Sequence, residues 1–194
     1  MIDNLFQLFN SIYPMSAELQ HVLAAEFEIV DVPANHFLLK EKAVNSNAVV
    51  LLNGVAKSYY IDNADKEVCT RLMIENHIVV SVTSFFNQEP AYENIVTVTP
   101  STIAAISFEA LQKMYKQYLE LNFIIRRITE LYFLQSEQRI RLLRLGTAEE
   151  KYEYFLNNFP SLIDKVPQYS IASFLSITPE TLSRVRHKLA TKKV

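Results

Sequence analysis

Between Leu119 and Leu145 the chain contains neither proline nor glycine, and helix-forming residues predominate. A segment of that length with that composition is predicted to be one continuous helix, and it divides everything before it from everything after it. Within it, Leu121, Ile124, Ile128, Leu131, Leu142 and Leu145 repeat every three or four residues, with Gln135 and Gln138 falling at the same phase. An apolar stripe broken by two polar positions suits a seam between paired helices, because buried polar groups fix register at some cost in stability. Phe123, Ile125, Tyr132 and Phe133 widen the stripe, which equally suits packing on the chain's own body. Both readings stand together if one face meets the body and the other a second copy.

The section before this helix changes period twice. Residues 2–26 carry helical spacing, with Leu5, Phe6, Leu8, Phe9 and Ile12 followed by Leu19, Val22 and Leu23. Residues 27–107 then break into short β-rich runs at 27–32, 37–40, 48–52, 56–61, 67–74, 77–82, 95–98 and 102–106. Turn-forming stretches separate them, notably Asn53-Gly54 and the segment from Asp62 to Asp65. Closely spaced short strands in this number predict a double-sheet jelly roll or barrel. The fold class is therefore α+β: a jelly-roll barrel with N-terminal helices over 1–107, a connecting and dimerisation helix over 108–145, and a small helical domain over 146–194.

After the long helix, Gly146 is predicted to close it as a left-handed cap and to act as a hinge. Thr147 and Glu150 form a capping box that starts another helix from Ala148 to about Asn158. The final residues, 166–193, read as a helix-turn-helix. Ile171, Phe174 and Leu175 lie on one face of a first helix, and Thr178 caps a second that begins at Pro179. On the second helix Leu182, Val185 and Leu189 share one side, leaving Glu180, Arg184 and His187 on the other.

That free side has the chemistry to read DNA. An arginine such as Arg184 donates two hydrogen bonds to guanine O6 and N7, and Glu180 accepts from cytosine N4. Ser183 and Thr181 reach a base edge or a phosphate, and His187 extends the reading face. Thr178, Arg186, Lys188, Lys192 and Lys193 surround it and suit phosphate contacts, the sequence-independent part of affinity.

Composition limits the alternatives. The net charge of −2 excludes a globally basic nucleic-acid binder, so the cations must act as a local C-terminal patch. A single cysteine, Cys69, excludes an intramolecular disulfide and a cysteine-rich zinc or iron–sulfur site. His21, His36, His77 and His187 show no metal-ligand spacing. Neither a glycine-rich phosphate loop nor a nucleophile elbow is present, so no enzyme is expected. No run approaches a membrane span and no basic-then-apolar leader opens the chain; a soluble, cytoplasmic protein with no membrane partner is expected.

The stretch from Ser170 to Arg186, and within it Glu180-Thr-Leu-Ser-Arg184, resembles the DNA-binding signature of the Crp/Fnr transcription regulators of bacteria. Asn53-Gly54-Val55 and the hairpin near 62–66 are similar to that family's cyclic-nucleotide-binding barrel. The resemblance implies a homodimer bound to a two-fold-related operator on double-stranded DNA, with RNA polymerase a further partner if the protein activates. It also implies a base-reading role for Glu180 and Arg184. Two departures stand out: Ser176 occupies a turn position where the family usually has glycine, and the chain ends at Val194, which leaves a reduced or absent β-wing.

In relatives that bind cyclic AMP, Gly-Glu and Arg-Ser on a short helical cassette hold the ribose and the cyclic phosphate. The matching stretch here, 79–98, has neither glycine nor arginine, and Glu93-Asn94 falls where Arg-Ser would be. A carboxylate beside a phosphate is repulsive unless a counter-ion intervenes. Cyclic AMP and cyclic GMP are therefore not expected, no cofactor is predicted, and a different small effector is left open. Phe85, Phe86, Tyr92, Glu93 and Asn94 are its candidate pocket residues, with filling of the barrel as the alternative role for the aromatics. The competing reading of the whole chain is a sensor or interaction module with a vestigial helix-turn-helix.

Overall fold

A computed structural model of the chain describes residues 2–191. Two helices open it, α1 (Ile2–Ile12) and α2 (Ala17–Glu26). Ser16 caps α2 by accepting from the Leu19 amide at 3.2 Å, and its hydroxyl donates to Glu120 at 2.6 Å. The N-terminal helices are thus tied to the long helix that follows the barrel.

Eight strands follow: β1 (Glu28–Val32), β2 (Phe37–Leu39), β3 (Asn47–Asn53), β4 (Ala56–Ile61), β5 (Glu67–Met73), β6 (Ile78–Val79), β7 (Asn94–Thr97) and β8 (Ser101–Ser107). They form two four-stranded antiparallel sheets, ordered β1-β8-β3-β6 and β2-β7-β4-β5. Each predicted run contains a strand. The run at 77–82 shortens to Ile78–Val79 because a short helix, α3 (Val82–Asn87), begins at its end.

Strand β3 is buried on both faces. Val49 and Leu51 join the sandwich interior with Ile95 and Ile103, while Ala48, Val50 and Leu52 face the helices with Ala104 and Ile106. Burial on both faces produces a continuous apolar run in place of alternation. Gly54 closes the β3–β4 turn at φ +104°, and a Cβ there would lie 2.1 Å from Ser101 Oγ, so only glycine fits. At the β4–β5 turn Asp62 accepts from the amides of Ala64 and Lys66, and those bonds, the Lys66 one foremost, hold its carboxyl below the usual range.

Beyond the barrel lie α4 (Phe108–Gln117) and α5 (Leu119–Leu145), which confirms the long unbroken helix. The predicted dimer seam needs correction at its start. Leu121 and Ile124 are 1% and 0% exposed, enclosed with Leu5, Phe9 and Leu111, so neither reaches a partner. Ile128 is half-buried against the same core. The physical reason is that the first turns of α5 cover the helix-facing side of the first sheet, and only later turns leave it. There Leu131 and Leu134 are 41% and 53% exposed, Gln135 and Gln138 are exposed, and Leu142 is half-buried.

Gly146 also departs from expectation. Its φ is −77° and ψ 143°, an extended conformation open to any residue, so the left-handed cap is absent. Glycine is needed instead for a close approach: a Cβ would stand 2.6 Å from the Leu142 carbonyl oxygen, to which the Gly146 amide already donates.

The predicted capping box is present. Thr147 Oγ1 accepts from the Glu150 amide and Glu150 returns the bond, starting α6 (Ala148–Asn158). A 3-10 turn at Pro160–Leu162, α7 (Gln168–Phe174) and α8 (Pro179–Thr191) complete the described chain, and no strand follows α8 among the described residues. Their core is built from Phe155, Phe159, Phe174, Leu182 and Val185, and it also takes in Val55, Cys69 and Leu72 from the barrel.

Candidate nucleic-acid interface

The turn between α7 and α8 fixes how the second helix is presented. Ser176 takes φ +52°, the left-handed value a glycine would adopt without strain, and its amide donates to the Ser173 carbonyl at 2.9 Å. The Ile177 amide returns to Ala172 at 3.0 Å. Thr178 then caps α8 by accepting from the Thr181 amide at 3.2 Å, and Pro179 occupies the first helical position.

Leu182 and Val185 are buried in the core, and Leu189 packs at its margin. Glu180, Ser183, Arg184 and His187 are all exposed on the other side, as the spacing predicts. Arg184 Nη2 donates to Thr181 Oγ1 at 3.1 Å, which steadies the guanidinium along the helix. The Glu180 carboxyl lies below its usual range, held first by its own amide and then by the Thr178 hydroxyl, with Arg184 adding a favourable charge. Acceptor and fork-shaped donor thus stand charged and solvent-facing one helical turn apart.

The phosphate candidates divide. Thr178 is exposed but spends its oxygen on the cap, Thr181 is half-buried and bonded to Arg184, and Arg186 is half-buried. Lys188 forms an ion pair with Glu149 on α6, so it braces the helix as well as facing solvent. Lys192 and Lys193 lie outside the described residues.

The structure breaks up the predicted effector pocket. Phe85 is enclosed in the core against Phe108, Phe86 lies exposed beside it, and Tyr92 is exposed on the loop before β7. Asn94 accepts from the Glu41 amide at 3.0 Å, bracing the β2–β3 connection. Tyr92, Glu93 and Asn94 are not among the residues that line the cavity bordered by Phe85 and Phe86; Tyr92 and Glu93 lie on the loop before β7 and Asn94 at its first position. Glu93 is 5% exposed and ion-paired to Arg71 at 3.3 Å. The counter-ion that a buried carboxylate demands therefore comes from β5. Arg71 also donates to Ser58 Oγ at 3.2 Å and to the Val80 carbonyl at 2.6 Å.

Two arginines were missed in the sequence. Arg71 was signalled only by a lone cation next to the apolar Leu72 and Met73. Arg139 of α5 donates to the carbonyls of Thr70 and Phe174 and stacks 4.1 Å from the Phe174 ring centroid. It joins the long helix, the barrel edge and α7. A second bond across that joint runs from the Cys69 amide to Ser173 Oγ, at 2.9 Å.

The cyclic nucleotide-binding domain family matches residues 29–118. No curated protein sequence matches the chain. Among solved structures, FixK2 from Bradyrhizobium japonicum superposes with a TM-score of 0.74 at 14% identity, covering 87% of this chain and 86% of that one. A putative regulator of the Crp/Fnr family from Eubacterium rectale gives 0.72 at 12% identity, with coverage of 97% and 88%. This chain has the Crp/Fnr fold. The c-di-GMP responsive global regulator CLP of Xanthomonas campestris shares it as well, with a TM-score of 0.69 at 15% identity over 92% of this chain and 93% of that one. The likeness in fold thus spans most of the chain, 87–97% of it in these three comparisons. Among the described residues no helix is long and apolar enough to cross a membrane, and no group of histidine, cysteine and carboxylate residues could hold a metal ion.

Proposed function

We propose that the chain is a DNA-binding transcription regulator of the Crp/Fnr type, acting as a homodimer that reads a two-fold-related operator through α8. The observation that carries this reading is the presentation of Glu180, Ser183, Arg184 and His187 to solvent while the opposite side of the same helix is buried. The exposed apolar turns of α5, with Leu131 and Leu134, support pairing with a second copy. In such a dimer the two recognition helices enter successive major grooves, with half-sites roughly 34 Å apart.

The Arg71–Glu93 pair supports a barrel that does not take a cyclic phosphate, because a carboxylate and its neutralising guanidinium fill that position.

A mobility shift with a selected operator tests the reading. Arg184→Ala should weaken the specific complex by about 1–3 kcal/mol and relax preference at one base pair, while binding to random DNA changes little. Added cyclic AMP should leave the shifted fraction unchanged. Equal losses on specific and random DNA would remove the base-reading role, and a protein that shifts no operator would leave only the sensor-module reading.

A further inference from the structure

A cavity of about 480 Å³ lies between the helix-facing side of the first sheet, α3, α5 and the aromatic core of α6–α7. It lies mainly on the helix-facing side of the first sheet: Ala48, Val50 and Ile106 line it from the face of β3 and β8 that turns away from Val49 and Leu51, and Met73 of the sandwich interior borders it as well. Its walls are mostly apolar, with Phe159 and Phe174 contributed by the α6–α7 core and Tyr132 by α5. That size and lining fall within the range of sites for small organic molecules.

Its charge is one-sided. Arg71 and Arg139 line the cavity, and no aspartate or glutamate does among the described residues. Arg71 has Glu93, and the buried Lys57 nearby has Glu67, but among the described residues no carboxylate lies within ion-pairing distance of Arg139. Two backbone carbonyls and an aromatic ring are its partners, and its Nε–H is buried with no acceptor at all. Burial pulls the Arg139 guanidinium below its usual value. A buried cation lacking a counter-charge is strongly disfavoured, and an orphaned donor adds to that cost.

We propose that this cavity binds a small organic anion, an apolar or aromatic body carrying a carboxylate or sulfonate, whose acid group supplies Arg139 with its missing counter-charge and acceptor. The body would lie against Tyr132 and Phe174. Since the same guanidinium holds Thr70 and Phe174, the anion binds at the joint between barrel and reader. The site stands whether or not the chain binds DNA.

Two dyes test it in the full chain: 1-anilinonaphthalene-8-sulfonate, an aromatic anion, and N-phenyl-1-naphthylamine, its close neutral analogue. The wild-type protein should bind the anionic dye saturably, one per chain, as read by fluorescence. Arg139→Gln should weaken the anionic dye at least tenfold and leave the neutral dye within twofold, with circular dichroism confirming the fold. Ser136 is exposed on α5, one turn before Arg139, and lines the cavity, so Ser136→Trp should weaken both dyes at least tenfold. Absence of saturable binding overturns the proposal, as does a folded Arg139→Gln that keeps its affinity for the anion. If Arg139→Gln does not fold, unchanged binding of both dyes by Ser136→Trp overturns it alone.

Discussion

At the scale of single residues, the turn before α8 shows what sequence can and cannot say. Ser176 stands at the position where the Crp/Fnr resemblance leads one to expect glycine, and it is held at φ +52° all the same. A left-handed conformation costs an L-residue about 1–2 kcal/mol, against about 0.5–1 kcal/mol of extra chain entropy that glycine loses on folding. Ser176→Gly should therefore raise stability by up to about 1 kcal/mol, a rise in Tm of about 2–4 °C. A lower Tm would mean that the serine hydroxyl contributes something the bond pattern does not reveal. Gly146 teaches the opposite lesson. Its place at a helix end suggested a backbone conformation, whereas its neighbours demand an absence of side chain, and proximity to Leu142 cannot be read from one position in a string.

At the scale of elements, period was a reliable guide and partner was not. The eight strands, the unbroken α5, the capping box at Thr147 and the Thr178-Pro179 start of α8 all follow from local patterns, because each is decided within a few residues. The apolar stripe of α5 is decided by what comes to lie against it. Leu121 and Ile124 share a phase with Leu131, yet the first two are enclosed by α1 and the barrel while the third is open. Leu134, absent from the predicted seam, is exposed beside Leu131 one turn along the same helix. Replacing Leu131 and Leu134 together with glutamate should convert a dimer into a monomer in sedimentation measurements, with the far-ultraviolet dichroism unchanged. An unaltered mass would place the contact between copies elsewhere.

For the molecule as a unit, the informative region is the joint where α7 meets β5. Long-range contacts of this kind have no local signature: Cys69 and Ser173 are 104 residues apart, and a serine on a helix gives no hint that it will accept from a strand amide. Lys57 adds to the joint by lying 5.5 Å from the Tyr169 ring centroid. Burial opposes its charge, but the bond to and charge of Glu67 outweigh that and hold its pKa above the usual value. The Cys69 thiol is enclosed there, and burial pushes its pKa up to about 12. It should react slowly with a thiol reagent in the wild-type protein. Ser173→Ala deprives the Cys69 amide of its acceptor, at a cost of about 1–3 kcal/mol, and should speed labelling severalfold if the joint opens locally. Equal labelling rates would show that the thiol is protected by the barrel alone.

The place of β5 in its sheet gives the same joint a second meaning. With the order β2-β7-β4-β5, this strand is a margin, and its outer amides would otherwise invite a strand from another molecule. Helix α7 lies across it, so the small helical domain also shields the sheet from self-association. Removing residues 146–194 would thus uncover an adhesive border, and the shortened barrel should precipitate where the full chain stays dissolved.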